Sequence, residues 1–345
     1  MNIYQNAALT PRSRGDAPPR IAEGATPMRS GDLQDLPNGF HSSFVDCGEV
    51  RLHLVHNARA AHADGTLDDS RTPIIFLHGF PEFWAAWEAL FPYLADTCLL
   101  IAPDQRGYNL SDAPQRISDY SVKKLVSDIL ALSSNLLGNR KFVLAGHDWG
   151  AAVAYSMAIA IPQRLKALIV ANGVHPVPFQ RALVEDEAQM AASQYFHHLT
   201  SENAVEHMSA DNFRRAFAMF EKFSPAPWLT SRQRQRYAEA WAQPGRFNAM
   251  LNWYRASPVV VPTAGKPLAP TPLKDADSEK LSVKVPHLLV WGMKDPALLP
   301  VSRFGLERFA PKLEVIEIAD ADHWILHSHG ERVATEIAKF IEKLD

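Results

Sequence analysis

The chain has 345 residues, 47% of them apolar, with 38 acidic and 35 basic side chains and a net charge of −3. That length supports one large core with an insertion. The charge gives no reason to expect a nucleic acid or an anionic membrane as partner. No apolar run approaches the ~18 residues of a transmembrane helix, and two cysteines, Cys47 and Cys98, are too few for a disulfide framework or a metal cluster and fit a reducing, cytoplasmic setting.

Residues 1–39 are rich in Pro, Gly, Arg and Asp and lack apolar periodicity. They read as a mobile N-terminal extension. Without a hydrophobic stretch this is not a secretory signal, and acidic residues matching the arginines weaken a transit-peptide reading. From Phe40 the pattern changes. "SSFVDCG" and "VRLHLVHN" predict a hairpin broken at Gly48-Glu49. "TPIIFLHG" and "CLLIAPDQRG" are short continuous apolar runs, predicted as strands buried on both faces, with helical spacing in "FWAAWEALFPYLA" between them. "SVKKLVSDILALSSNLLG" predicts an amphipathic helix stopped at Gly138. Strand "KFVLAG", helix "GAAVAYSMAIAI" ended by Pro162, and strand "LKALIVANG" follow.

After Asn172 the alternation stops. Residues 175–263 predict a helical insertion, clearest in "DNFRRAFAMFEKF" and "SRQRQRYAEAWAQ". The proline-rich "SPVVVPTAGKPLAPTPL" reads as a return loop. Strands "PHLLVWG" and "LEVIEIAD", with a helix between, and a final helix "GERVATEIAKFIEKL" complete the chain. Strands alternating with helices predict a mainly parallel, doubly wound α/β sheet, built from 40–174 and 264–345 and carrying the 175–263 insertion as a cap.

Such sheets place their chemistry at the carboxyl ends of the strands. Four of these ends are loaded: His78 in "HGFPEFW", Asp148 in "GHDWG", Asp295 in "WGMKDP" and His323 in "DADHW". Gly146 and Gly150 bracket Asp148 between a strand and a helix, the setting of a nucleophile elbow whose esterase form carries serine. A carboxylate is already ionised at neutral pH and attacks saturated carbon without a base. The order nucleophile, acid, histidine then leaves His323, oriented by Asp295, free to activate water in a second step. The amide after the nucleophile, on Trp149, and that of Phe80 are candidate oxyanion donors.

Taken jointly, "HGFPE" at 78–82, "GHDWGA" at 146–151, "NWYR" at 252–255, "WGMKDP" at 291–296 and "DHW" at 322–324 resemble the soluble epoxide hydrolase family of the α/β-hydrolase superfamily over about residues 40–345. The resemblance implies an α/β-hydrolase fold and hydrolysis of a small uncharged epoxide to a vicinal diol through an ester on Asp148. It implies no cofactor or metal, a cis Phe80–Pro81 bond, and two cap tyrosines protonating the epoxide oxygen. Tyr254 in "NWYR" matches one of them. Tyr195 in "SQYFHH" matches the other less closely, and His197 and His198 stand near enough in sequence to replace it. His78, Phe83, Trp84, Trp87, Met250 and Trp253 are candidates to line an apolar pocket, although ordinary core packing accounts for such residues equally well. Haloalkane and haloacetate dehalogenases share the aspartate nucleophile. The haloacetate enzymes, however, clamp their substrate with arginines one and four residues past it, where this chain has Trp149 and Ala152. A non-catalytic sensor on the same scaffold is a further alternative, against which the complete triad argues. Homo-oligomerisation is left open.

Overall fold

A computed structural model describes residues 36–344 apart from 225–226, 264–265, 267–268, 272 and 274–275. The predicted N-terminal extension, up to residue 35, and parts of the proline-rich return loop lie outside the described residues. An eight-stranded sheet forms the centre: β1 (His41–Asp46), β2 (Arg51–His56), β3 (Thr72–Leu77), β4 (Cys98–Pro103), β5 (Phe142–His147), β6 (Leu165–Ala171), β7 (His287–Gly292) and β8 (Leu313–Ile318). Their spatial order is β1-β2-β4-β3-β5-β6-β7-β8. β1 and β2 pair antiparallel as the predicted hairpin, β2 joins β4 antiparallel, and the pairs from β4 to β8 are parallel. The continuous apolar runs of β4 and β5 are buried along their whole length, because helices cover both faces of a parallel sheet.

Helices α1 (Val122–Leu137) and α2 (Trp149–Ala160) pack on this sheet. The insertion between β6 and β7 contributes α3 (Pro176–Glu185), α4 (Glu187–Ala192), α5 (Tyr195–Leu199), α6 (Ala204–Phe223), α7 (Ser231–Ala242) and α8 (Arg246–Arg255). After β8, α9 (Ile325–Ser328) and the amphipathic α10 (Gly330–Glu342) close the core. No helix among the described residues is long and apolar enough to cross a membrane.

Three local expectations are corrected. The stretch predicted as helix from Asp211 begins instead with a break inside α6: Asp211, Asn212 and Phe213 have φ of 51°, 52° and 63°. The Phe213 ring, stacked on Phe247 at 5.7 Å and edge-on to Trp241, anchors this bend; tertiary packing has overridden propensity. The connection from β7 to β8 holds two short 3₁₀ turns, Pro300–Arg303 and Leu306–Arg308, rather than a helix. Left-handed Gly305 separates them. The segment Trp84–Leu90 is likewise a 3₁₀ turn running into Phe91–Leu94.

Cap and core are sewn together by indole N–H groups. Trp241 Nε1 on α7 donates to the Pro81 carbonyl (2.6 Å), and Trp253 Nε1 on α8 to that of Arg106 (3.0 Å). In the other direction Trp324 Nε1 donates to the Phe220 carbonyl on α6 (3.0 Å). Buried Arg106 is itself held by a bidentate pair with Asp128 at 2.7 and 2.6 Å.

The turn from β5 into α2 depends on glycine for lack of space. A Cβ on Gly150 would lie 2.1 Å from the Leu77 carbonyl oxygen and 2.6 Å from that of His78. One on Gly146 would lie 2.6 Å from the Gly150 oxygen. Backbone cannot yield as a side-chain tip does. Gly150→Ala is therefore expected to force α2 away from β3 and lower stability by at least ~1–3 kcal/mol. A thermal melt coincident with wild type would show that this close approach is dispensable.

Candidate active site

Parallel registry brings five strand ends to one edge. Leu77 lies beside Gly146, His147 beside Ala171, Ala171 beside Val290, and Gly292 beside Ile318. The loops that leave these ends carry Phe80, Asp148, Asn172, Asp295 and His323.

Asp148 sits at the tip of the elbow with φ 50° and ψ −118°, a conformation that non-glycine residues adopt only where the surroundings impose it. Its N–H donates to the Asn172 carbonyl (3.2 Å). The side chain is partly exposed, so the turn presents the carboxylate instead of burying it. Oδ1 accepts a 2.8 Å bond from the Phe80 amide, and Oδ2 lies 3.7 Å from His323 Nε2. The loop bearing Phe80 passes so close that a Cβ on Gly79 would lie 2.4 Å from the Asp148 Cβ. The Phe80–Pro81 peptide is cis. Trp149 is the first residue of α2, where an amide has no intrahelical acceptor.

His323 Nδ1 donates to Asp295 Oδ2 at 2.7 Å. Asp295 is buried, and its carboxylate accepts three further bonds: Asn172 Nδ2 to Oδ2 (2.6 Å), and the Ala297 and Leu298 amides to Oδ1 (2.8 and 2.9 Å). Burial alone would raise the Asp295 carboxyl, but His323 and these donors outweigh it and hold it below its ordinary value. For His323, burial opposes the charged form. The Asp295 charge and hydrogen bond, then the charges of Asp148 and Glu82, raise it to about 9.

Asn172 is the member of this group that the sequence reading did not single out. It is wholly buried with φ 36°, and it ties three loops together. Its Nδ2 reaches Asp295 and, at 3.3 Å, the Asp322 carbonyl, while its Oδ1 accepts from the Gly292 amide (2.7 Å). The signal was present: an Asn-Gly step directly at the end of a buried strand invites a left-handed turn.

A second buried cluster, also unforeseen, borders the first. Glu82 Oε1 accepts from His327 Nε2 (2.6 Å) and the Tyr237 hydroxyl (3.0 Å). Its Oε2 faces His147 Nδ1 at 3.3 Å, and His147 Nε2 donates to the His323 carbonyl (2.9 Å). Burial would raise the Glu82 carboxyl, but His327 and His147 keep it well below its usual range.

The insertion places aromatic rings over Asp148. Tyr254 on α8 lies edge-on to Phe80 (5.1 Å), Trp149 (4.9 Å) and Phe196 (4.9 Å), with Tyr195 at 6.3 Å. Tyr195 also meets Phe223, which packs 5.9 Å from His323. Burial raises both phenols well above the usual range. The Asp148 charge adds to this for both, alongside Tyr195 for Tyr254 and Asp295 for Tyr195. Each therefore keeps its proton at neutral pH. His197 and His198, the sequence alternatives to Tyr195, are exposed, and His197 Nε2 bonds Thr263 Oγ1 at 3.2 Å.

The candidate pocket residues separate. His78 is fully buried with both ring nitrogens engaged: Nδ1 donates to the Gly79 carbonyl (2.9 Å) and Nε2 accepts from the Gln105 amide (3.1 Å). It supports the loop and presents nothing to a substrate. Phe83 and Trp84 turn toward Tyr237, Arg236 and Phe91, and Trp87 packs on Phe76. Trp253 stands behind Trp149 at 6.3 Å, its N–H committed to the Arg106 carbonyl. Met250 is buried in the core cluster.

Residues 72–330 match the alpha/beta hydrolase fold family. The chain belongs to that family. The AB hydrolase superfamily protein YfhM of Bacillus subtilis is 34% identical over 308 residues, covering 88% of this chain and 99% of the relative. Epoxide hydrolase 1 of Caenorhabditis elegans is 29% identical, over 90% of this chain and 73% of its own. Among solved structures, an epoxide hydrolase from hot-environment metagenomes superposes with a TM-score of 0.74 at 29% identity, covering 88% of this chain and 98% of its own. A Bacillus megaterium epoxide hydrolase bound to its product, a naphthyloxy-propanediol, gives 0.73 at 25%, covering 87% and 100%. The α/β-hydrolase fold expected from the sequence is thus found in the sheet and in the relatives alike.

The charges around His323 generate a prediction. Its raised folded value exceeds the unfolded ~6.5. The interaction therefore contributes stability that is fully present below pH ~6.5 and is lost as pH rises through about 9. Because Asp148 is one of the groups that raise it, Asp148→Asn should lower the His323 titration midpoint seen by proton NMR. An unchanged midpoint would remove Asp148 from the electrostatics of the pair.

Proposed function

We propose that the protein hydrolyses uncharged epoxides to vicinal diols in two steps, through an alkyl ester on Asp148. The observation that carries this reading is a single arrangement. A partly exposed carboxylate has one oxygen held by the Phe80 amide and the other facing an Asp295-paired histidine, beneath two protonated tyrosines. The relatives named as epoxide hydrolases support it.

In the first step Asp148 Oδ2 attacks an epoxide carbon. The C–O bond of the ring breaks, and Tyr254, with Tyr195, donates a proton to the departing oxygen. Oδ1 stays in the bond from Phe80 and becomes the ester carbonyl oxygen. In the second step His323 takes a proton from water, and the resulting hydroxide adds to Cγ of Asp148. Negative charge collects on Oδ1, where the Phe80 and Trp149 amides receive it. Collapse breaks the Cγ–Oδ2 bond; the departing Oδ2 takes the proton held by His323, the diol leaves carrying Oδ2, and the new Asp148 carboxyl gives its proton back to the tyrosinate left by the first step. Esterification removes the Asp148 charge, one of the groups that raise His323, and so shifts the histidine toward the free base that the second step requires. The residues one and four past Asp148 are Trp149 and Ala152, neither of which can clamp a substrate carboxylate, and this disfavours an anionic substrate such as a haloacetate.

His323→Gln incubated with an epoxide should gain the mass of one substrate on Asp148, while Asp148→Asn gains none. Wild type in one turnover in heavy-oxygen water should release diol without label. Labelled diol would mean direct attack by water and would end the ester mechanism. Tyr254→Phe should slow ester formation by ~10²–10⁴, the usual worth of general-acid help, and spare ester hydrolysis. An unchanged alkylation rate on rapid mixing would reduce Tyr254 to packing. Halide release from haloacetates outrunning diol formation across an epoxide panel would overturn the substrate class.

A further inference from the structure

Gln189, on α4 of the insertion, has no exposed surface and uses all of its side-chain hydrogen-bonding directions that face the core. Its Nε2 donates to the Ala297 carbonyl (2.9 Å) and to Ser193 Oγ (2.9 Å). Its Oε1 accepts from the Leu299 amide (2.8 Å) and the Ser302 hydroxyl (2.6 Å). The orientation of the amide is unambiguous, because a backbone carbonyl only accepts and a backbone N–H only donates. Three of the four partners belong to the loop that follows Asp295. The fourth, Ser193, lies two residues before Tyr195.

One of these bonds has a particular consequence. The Ala297 carbonyl and the Leu298 N–H are the two ends of a single planar peptide unit. Gln189 holds the carbonyl end, while the N–H end donates to Asp295 Oδ1 at 2.9 Å. A carbonyl that accepts a hydrogen bond polarises its own N–H, so the two bonds reinforce one another in a dry interior. The carboxylate that orients His323 is thus gripped, through one rigid plane, by a side chain of the cap.

We propose that Gln189 is a positioning residue for the second catalytic step, fixing Asp295 through the Ala297–Leu298 peptide. This rests on the two-step reading above. Gln189 touches neither substrate nor reacting atoms, so its removal should leave attack by Asp148 nearly intact and impair the water activation that depends on the Asp295–His323 geometry.

The test compares two buried glutamines. Gln180 on α3 is equally hidden and clamps the return loop, its Nε2 donating to the Val260 carbonyl and its Oε1 accepting from the Val260 amide, both at 2.8 Å. Among the described residues its side chain makes no hydrogen bond to the acid loop, and it serves as the structural control. In rapid-mixing experiments with ester followed by mass spectrometry, Gln189→Leu should slow ester hydrolysis by roughly 10-fold or more, the scale on which outer hydrogen-bond partners act at catalytic centres. Alkylation should stay within about twofold of wild type, so that ester accumulates during turnover. Gln180→Leu should lower the melting temperature without changing the ratio of the two rates. Ser302→Ala, which deletes one of the four bonds, should shift the ratio the same way by less, and it carries the test if Gln189→Leu does not fold. Equal slowing of both steps by Gln189→Leu, or the same ratio change in Gln180→Leu, would overturn the positioning role. His323→Gln run alongside separates the two ideas. If it traps ester while the Gln189 and Ser302 variants leave the ratio untouched, only the positioning role falls. If it traps none, the two-step reading falls and takes this proposal with it.

Discussion

Asp148 occupies a backbone conformation that its side chain disfavours, and the rest of the molecule is arranged to hold it there. Strain of this kind, ~1–3 kcal/mol for a residue in a sparsely populated region, persists only when neighbours leave no alternative. Gly146 and Gly150 let β5, α2 and the β3 loop approach to distances that no side chain would permit. The Asn172 carbonyl receives the Asp148 amide. The return for the strain is placement: the carboxylate stands partly exposed at the sheet edge while the Asp148 amide keeps its hydrogen bond.

The two carboxylates near His323 illustrate how environment separates identical groups. Asp295 is buried and saturated with donors, so its lone pairs are committed and its charge serves to orient and stabilise. Asp148, partly exposed, has one oxygen held by an amide and the other, among the described residues, without a hydrogen bond. Chemistry at Asp295 would require breaking several hydrogen bonds in a medium where each broken bond is costly, whereas at Asp148 it requires none.

Most of the sheet was legible because a strand buried on both faces needs an unbroken apolar run, as "CLLIAP" and "FVLAGH" provide. The grouping of Asp148, Asp295 and His323 was legible because strand ends in a parallel sheet share one edge, so order along the chain becomes proximity in space. The cap was harder. Its short helices α4 and α5 are held by side-chain bonds to distant loops, as through Gln189, and no local periodicity encodes such partners. The break at Asp211–Phe213 follows from Phe213 finding Phe247 and Trp241, a contact between residues far apart in sequence. Pocket residues were the least legible. An aromatic residue beside a motif reads the same whether its ring lies against Tyr254, as Trp149 does, or packs on Tyr237 and Phe91, as Phe83 and Trp84 do.

The seam between cap and core has a consequence for how such a chain changes over generations. At each of its three indole anchors the acceptor is a main-chain carbonyl, on Pro81, Arg106 or Phe220. Every residue type has that group, so the anchor itself places no demand on the side chain at the receiving position, and whatever restricts those positions has another cause. The demand falls wholly on the donors, Trp241, Trp253 and Trp324. Two of the three anchors are sent from the cap and read only the course of the core backbone. An insertion attached in this way carries much of its own attachment with it, so the surface it lays against the core is open to replacement while the sheet beneath stays as it is.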